Sequence, residues 1–191
     1  MERDIVESLL KVGKLKSLKR TGWVREGMPD PESVAEHCFR VAFLALIVGG
    51  ELKGVDTDRL IKMALLHDSE EAFTGDPVTE RFDKQVGVHD HVSESEIVKD
   101  MFSGFEQTDE LHELWSAHLP ETGPEATREA NILYQIGKIA TAWQALEYEL
   151  AGEDPKIMDE WWVNARKHVT EPILEELLTK LESKRKNGQK A

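Results

Sequence analysis

The hydrophobic positions of this chain recur at spacings of three and four, and β-branched alternation is nearly absent. Prolines and glycines stand between the periodic segments rather than inside them, which is typical of helices joined by turns. The predicted helices cover residues 3–18, 31–48, 56–67, 93–102, 109–118, 125–151 and 154–184, the last one interrupted near Pro172. The pattern predicts an all-α fold, a single bundle of about six to eight helices.

The chain contains no internal repeat and no linker long enough to separate domains. We therefore predict one domain over residues 1–191, with a core over about 3–180. Residues 181–191 are basic, and we expect them to fray from the end of the last helix.

Two histidines fall on the buried faces of neighbouring predicted helices. His37 lies within an apolar stripe whose helix begins at Ser33 and Glu36, spaced as a capping pair. His67 follows Leu60 by seven residues on the next helix. A lone inward histidine is usually a hydrogen-bonded core residue, but a second one favours a buried metal site.

The segment from Met63 to Asp76 passes from an apolar helix to a turn and carries several acids. His67 and Asp68 splay by about 100° around a helix and can reach one ion. Glu71 projects from the same face one turn later. The alternative interpretation is a helix that runs from the core to the surface, with its acids at the solvent-exposed end.

The segment over residues 18–31 is predicted to be a loop, and it places cations around one indole. Arg20 and Arg25 flank Trp23 in a chain that is otherwise acidic. The cations could meet a phosphate, and the indole could stack on a base or fill the core.

Composition narrows the classes of partner. The net charge is −13, from 24 basic and 37 acidic side chains, which disfavours binding of a nucleic acid polymer but not of a small phosphorylated substrate. No apolar run approaches the ~18 residues of a membrane span. The only cysteine is Cys38, and the first ten residues lack the features of a signal peptide, so we expect a cytoplasmic protein.

Five short motifs carry a family resemblance. They are Leu-Lys-Arg-Thr-Gly-Trp-Val at 18–24, Pro-Glu-Ser-Val-Ala-Glu-His at 31–37, Lys-Met-Ala-Leu-Leu-His-Asp at 62–68, Glu-Ala-Phe-Thr-Gly-Asp at 71–76 and Ala-Leu-Glu-Tyr-Glu at 145–149. In this order and spacing the chain resembles the HD-domain metal-dependent phosphohydrolases, and among them the small 5'-deoxynucleotidases. The resemblance implies an all-helical HD domain, usually a homodimer. It also implies hydrolysis of 2'-deoxynucleoside 5'-monophosphates with one divalent metal, whether Co, Mn, Zn, Mg or a similar ion.

The resemblance also implies roles for individual residues. The metal ligands are His37, His67 and Asp68. Glu71 and Asp76 form the acid–base pair that handles the attacking water and the leaving oxygen. The residues in contact with the substrate, from the phosphate to the sugar and base, are Arg20, Trp23, His37, Asp68, Asp76 and Thr79.

The chain departs from the family at the fourth metal ligand, which is an aspartate on the long helix. Gly137 stands at that position here. One interpretation is close helix packing, since small residues form a strip along this helix. The other is a lost ligand, for which His118 or Glu129 could substitute.

Three functional hypotheses follow. The first is an active deoxynucleotidase with an altered metal site. The second is an HD enzyme of other chemistry, such as a triphosphohydrolase or oxygenase, with a second metal on His89, His91 or His118. The third is a nucleotide-binding descendant without catalysis. The retained Glu71 and Asp76 favour the first.

Overall fold

The computed structural model describes residues 5–77, 79–80, 84–85, 91–119, 123 and 125–188, with only the backbone of residues 79–80, 84–85 and 91–92. The helices are α1 (Ile5–Val12), α2 (Thr21–Arg25), α3 (Val34–Gly49), α4 (Thr57–Leu66), α5 (Glu71–Thr74), α6 (His91–Met101), α7 (Thr108–Ser116), α8 (Arg128–Ala151), α9 (Pro155–His168) and α10 (Pro172–Gly188). Two-residue strands β1 (Thr79–Glu80) and β2 (Lys84–Gln85) pair antiparallel. The predicted all-α fold is confirmed.

Polar caps determine where the main helices begin. The Ser33 hydroxyl accepts the Glu36 N–H, and the Glu36 carboxylate accepts the Ser33 N–H at 2.6 Å, which is the predicted capping box of α3. Asp56 caps α4 by accepting the Arg59 N–H at 3.0 Å. Thr127 caps α8, so that helix begins three residues later than predicted.

Two predicted segments differ from the structure near the N-terminus. The first predicted helix ends at Val12 and continues as a 3₁₀ turn over Gly13–Lys16. The predicted loop over 18–31 contains α2, a helix of only five residues. A helix this short has almost no periodic signal, which is why the sequence pattern missed it.

The basic residues from 181 to 188, where we expect fraying, are helical. Helix α10 continues to Gly188, and the Arg185 guanidinium donates to Glu149 at 2.9 Å and to Asp159 at 2.7 Å. These contacts fasten the last helix to the end of α8 and to α9. Among the described residues, no helix combines the length and apolar content needed to cross a bilayer.

The main core lies between α3, α4, α8, α9 and α10, with α3 packed directly against α4 and α8. Its side chains include Val41, Leu60, Met63, Ile136 and Ile139, all fully buried. A smaller cluster of Val98, Met101, Phe102 and Trp115 joins α6 to α7. Because α3 and α4 share the core, their inward histidines are brought to one place.

The end of α3 approaches the start of α4 so closely that we expect Gly49→Ala to destabilise the fold. A methyl group there would lie 2.6 Å from Thr57 Cγ2 and 3.3 Å from Thr57 Cβ. We expect the free energy of unfolding, measured with urea, to fall by about 1–3 kcal/mol.

The matched control is Gly50→Ala, where an added Cβ meets no described atom within 4 Å. The control should leave stability unchanged or raise it slightly, because alanine is the better helix former. Equal stability of the two variants would contradict the close contact with Thr57.

Candidate metal and phosphate site

His37 on α3 and His67 at the end of α4 face each other, with ring centroids 5.6 Å apart. Asp68 Oδ2 lies 3.3 Å from His67 Nε2 and 3.9 Å from His37 Nε2. One ligand atom from each residue falls within 4.8 Å of the other two. Two imidazoles and a carboxylate suit a divalent transition metal, so these three residues could hold one.

The protonation of the two rings also fits a metal. His67 Nδ1 lies 2.9 Å from the Ala64 carbonyl oxygen, which only accepts, so Nδ1 carries a proton and Nε2 is the nitrogen that faces Asp68. Burial, and then the charge of Arg20, lowers the pKa of His37 well below its ordinary value. His37 is therefore neutral at pH 7, which is the form that binds a metal.

Arg20 gathers three carboxylates beside these histidines. Its Nη1 lies 2.6 Å from Asp76 Oδ1, 3.5 Å from Asp68 Oδ2 and 3.9 Å from Glu71 Oε1. Burial lowers the pKa of Arg20, but the acids, led by Asp76, outweigh burial and raise it. Asp76 is fixed in turn by the Thr21 N–H, which donates to its Oδ2 at 2.7 Å. A guanidinium held this way has the charge and the geometry to meet a phosphate.

Neighbouring acids in this site have opposite protonation. Burial, then the charge of Asp68, raises the pKa of Glu71 to about 11. Burial also opposes ionisation of Asp68, but His67, Arg20 and His37 together lower its pKa to about 2. Without a bound cation, the site thus keeps Asp68 ionised and Glu71 protonated. Acids whose pKa values are driven apart are typical of acid–base sites.

The site opens into a cavity of about 140 Å³ between α8 and the histidines. The lining residues are Arg20, His37, His67, Asp68, His118, Ala130, Leu133, Tyr134, Gly137, Lys138 and Thr141. Tyr134, Lys138 and Thr141 were not predicted as site residues. Gly137, Lys138 and Thr141 come three, four and seven residues after Tyr134, so all four lie on one face of α8. This spacing is the feature of the sequence from which a shared face could have been predicted.

Gly137 faces open space in this cavity. A Cβ built there meets no described heavy atom within 4 Å. The interpretation of Gly137 as a close helix contact is therefore wrong at this position. A longer side chain could enter the cavity from α8.

The two suggested substitutes for the fourth ligand lie in different places. His118 is buried and lines the cavity, and its Nδ1 bonds to the Trp115 carbonyl oxygen. Glu129 instead accepts the Asp56 N–H at 2.9 Å and is absent from the described cavity lining. His118 therefore shares the cavity with the histidines and Glu129 does not, but among the described residues only His37, His67 and Asp68 have ligand atoms within 4.8 Å of one another.

Trp23 lies in the core, and the described cavity lining does not include it. It is 2 % exposed, and its indole packs on Trp161 with ring centroids 4.1 Å apart. Its Nε1 donates to Glu32 Oε2 at 3.3 Å. The structure favours the core role for Trp23, and nothing in it supports the predicted contact with sugar and base.

Three further predicted contacts fall outside what is described. Thr79 lies in β1, and its side chain is not among those described. His89 lies outside the described residues, and His91 begins α6 without a described side chain. The predicted substrate contact of Thr79 and the second-metal hypothesis for these histidines stay predictions.

Comparisons with known proteins show what this chain is similar to. The sequence profile of the HD domain matches residues 12–182. The chain is 30 % identical to the 5'-deoxynucleotidase HDDC2 of Bos taurus over 96 % of this chain and 86 % of that protein. It is 32 % identical to that of Dictyostelium discoideum over 91 % of this chain and 94 % of that protein. A solved structure, a conserved hypothetical protein from Pyrococcus furiosus, superposes with a TM-score of 0.73 and 28 % identity, over 93 % of this chain and 99 % of that one.

Glu70, beside the site, makes stability depend on pH. Burial, then Asp68, raises its pKa from 4.5 to about 8, while Trp115 Nε1 donates to its Oε2 at 2.6 Å. The unfolded chain releases this proton near pH 4.5, so the stability that Glu70 contributes is lost as pH rises from 4.5 through 8. Glu70→Gln cannot ionise and should be spared this loss. As pH rises, the free energy of unfolding of Glu70→Gln should therefore increase relative to that of the wild type, by up to about 1.4 kcal/mol per pH unit.

Urea unfolding at pH 5, 6, 7 and 8 measures this difference. The control is Glu110→Gln, an exposed acid paired with Lys62, which should follow the wild-type profile. Parallel pH profiles for Glu70→Gln and wild type would contradict the raised pKa.

Proposed function

The chain belongs to the HD domain family, and we propose that it is a metal-dependent 5'-deoxynucleotidase. It hydrolyses 2'-deoxynucleoside 5'-monophosphates to deoxynucleoside and phosphate, the substrate class that the names of its relatives give. One observation carries the proposal above the others. The single guanidinium of Arg20 lies beside both a three-residue metal cluster and two further acids.

In this proposal His37, His67 and Asp68 hold one divalent metal. The mixed nitrogen and oxygen donors favour cobalt, manganese or zinc over magnesium. When bound, such a metal polarises the phosphoryl group and favours ionisation of a water molecule. The open side at Gly137 leaves room in the cavity for water or for a phosphate oxygen.

Arg20 binds the phosphate and Asp76 positions Arg20. With no substrate, the guanidinium is neutralised by acids on three sides. A substrate phosphate can accept two parallel hydrogen bonds from the guanidinium, which matches the planar geometry of that group better than three separate carboxylates do. As the guanidinium turns to the phosphate, the Asp76 Oδ1 is released to accept a proton from the attacking water.

Glu71 supplies the proton that the leaving oxygen needs. Its side chain is buried, and without a bound cation its raised pKa keeps it protonated at neutral pH. An alkoxide is a poor leaving group, so protonation of the 5' oxygen assists bond cleavage. Glu71 and Asp76 thus divide the roles of acid and base.

We also propose that the chain forms a homodimer through the outer face of α3. Exposed apolar side chains follow one another along two turns of that helix: Phe39, Phe43, Leu46 and Ile47, which are 42–70 % exposed. Trp161 and Trp162 on α9 do not provide an exposed apolar patch of this kind. Trp162 is buried, and Trp161 packs on Trp23. The cytoplasmic location and the exclusion of nucleic acid polymers stay predictions.

Phosphate release tests the proposed function. We expect the protein to release phosphate from deoxynucleoside 5'-monophosphates with Co²⁺, Mn²⁺ or Zn²⁺, and a chelator to abolish the reaction. Glu71→Gln should lower kcat by about 10²–10⁴-fold, because it cannot donate the proton. Glu110→Gln, on the exposed surface, is the matched control and should retain wild-type kcat.

No turnover with any of these metals would contradict the proposal and favour a nucleotide-binding descendant. Release from triphosphates alone would favour the alternative HD chemistry.

Sedimentation equilibrium tests the dimer. Phe39→Asp places a charge on the α3 face, and we expect it to convert a wild-type dimer to a monomer, since an unpaired buried charge is costly. The matched control is Val163→Asp on α9, which is also an exposed apolar side chain and should remain dimeric. A monomeric wild type, or a dimeric Phe39→Asp, would show that this face is not the interface.

A further inference from the structure

The two histidines of the metal cluster differ in how their second ring nitrogen is satisfied. His67 Nδ1 donates to the Ala64 carbonyl oxygen, which fixes the ring and directs Nε2 to Asp68. His37 Nδ1 is buried and has no hydrogen-bond partner among the described residues. A buried ring nitrogen without a partner costs about 1–3 kcal/mol, so this position calls for an acceptor.

Glu32 is the acid that lies on this side of the His37 ring. Its Oε2 is 3.8 Å from His37 Nδ1, beyond hydrogen-bond length but within reach of a small side-chain shift. The residue is only 5 % exposed. The opposite nitrogen, Nε2, faces Asp68 in the metal cluster. The ring therefore stands between the metal position and Glu32.

Contacts on every side hold Glu32 in this place. The Trp23 indole donates to Oε2 at 3.3 Å, and Arg40 Nε donates to Oε1 at 3.2 Å. The Glu32 N–H donates to the Tyr148 hydroxyl at 2.8 Å. Its carbonyl oxygen accepts the Arg20 N–H at 2.9 Å. Two of these contacts hold the carboxylate and two hold the backbone, so the position of Glu32 does not depend on the histidine.

We propose that Glu32 is a positioning residue for the metal site. Its carboxylate accepts a hydrogen bond from Nδ1–H of His37 and so directs Nε2 of that ring to the metal. Metal-bound histidines almost always donate their other ring nitrogen to a carboxylate or a carbonyl. The Ala64 carbonyl does this for His67, and Glu32 does it for His37. The role rests on the proposed metal site and assigns a function to a residue outside the ligand set.

The Glu32 side chain also connects the site to the outer surface. Arg40, which holds Oε1, binds Glu147 at 2.8 Å and stacks over Trp143 at 4.3 Å. Glu147 therefore shares the Arg40 contact with Glu32 but does not share the contact with His37. This makes Glu147→Gln a matched control for the loss of an Arg40 partner.

The test is titration of the metal-free protein with Zn²⁺ against a competing chelator. Glu32→Gln should weaken Zn²⁺ binding by about 10–100-fold, and Glu147→Gln should leave it unchanged. Glu32→Asp keeps the charge but shortens the side chain, so its affinity should lie between those of wild type and Glu32→Gln. If Glu32→Gln folds poorly, the Zn²⁺ affinity of Glu32→Asp still tests the role of Glu32.

Long-range ¹H–¹⁵N spectra of the imidazoles give a second readout that a merely structural role would not move. In the Zn²⁺-loaded wild type, His37 should carry its proton on Nδ1, with Nε2 bound to the metal. Unchanged Zn²⁺ affinity in both Glu32 variants would overturn the role of Glu32, while phosphate release by the wild type would still support the proposed function. Failure of the wild type to bind Zn²⁺ would overturn the metal site and this role together.

Discussion

The site depends on one buried cation, the guanidinium of Arg20, placed among Asp68, Glu71 and Asp76. Taking a carboxylate out of water costs several kcal/mol, and placing several together adds mutual repulsion. Arg20 offsets part of this cost, and protonation of Glu71 removes another part. The same arrangement leaves negative charge on Asp68 beside the rings of His37 and His67. A divalent cation and a phosphate are the ligands that such a site is built to receive.

The rest of the fold serves to hold these groups in register. The packing of α3 on α4 brings His37 to His67, and α8 forms the far wall of the cavity. The short helix α2 begins directly after Arg20, and the Thr21 backbone N–H fixes Asp76. The loop that carries Arg20 is tied in turn to Glu32. Arg20 is thus joined to the cluster of His37, His67 and Asp68 through the hydrogen bond from its guanidinium to Asp68.

Much of this arrangement could be predicted from the sequence, because caps and apolar stripes are local signals. The capping box at Ser33 and the inward faces of His37 and His67 followed from spacing alone. The cavity face of α8 did not, since polar residues on one helical face give no sign of what they line. Trp23 could not be assigned for a related reason. An indole serves the core as well as a ligand, and only its contacts with Glu32 and Trp161 decide between them.

The most direct test of the central claim is anomalous scattering from a crystal of this protein grown or soaked with zinc. We expect a single strong peak among His37 Nε2, His67 Nε2 and Asp68 Oδ2, at about 2.0–2.2 Å from each. We also expect the side of the ion without a protein ligand to face the cavity at Gly137. No peak there, or a peak held by other residues, would contradict the account.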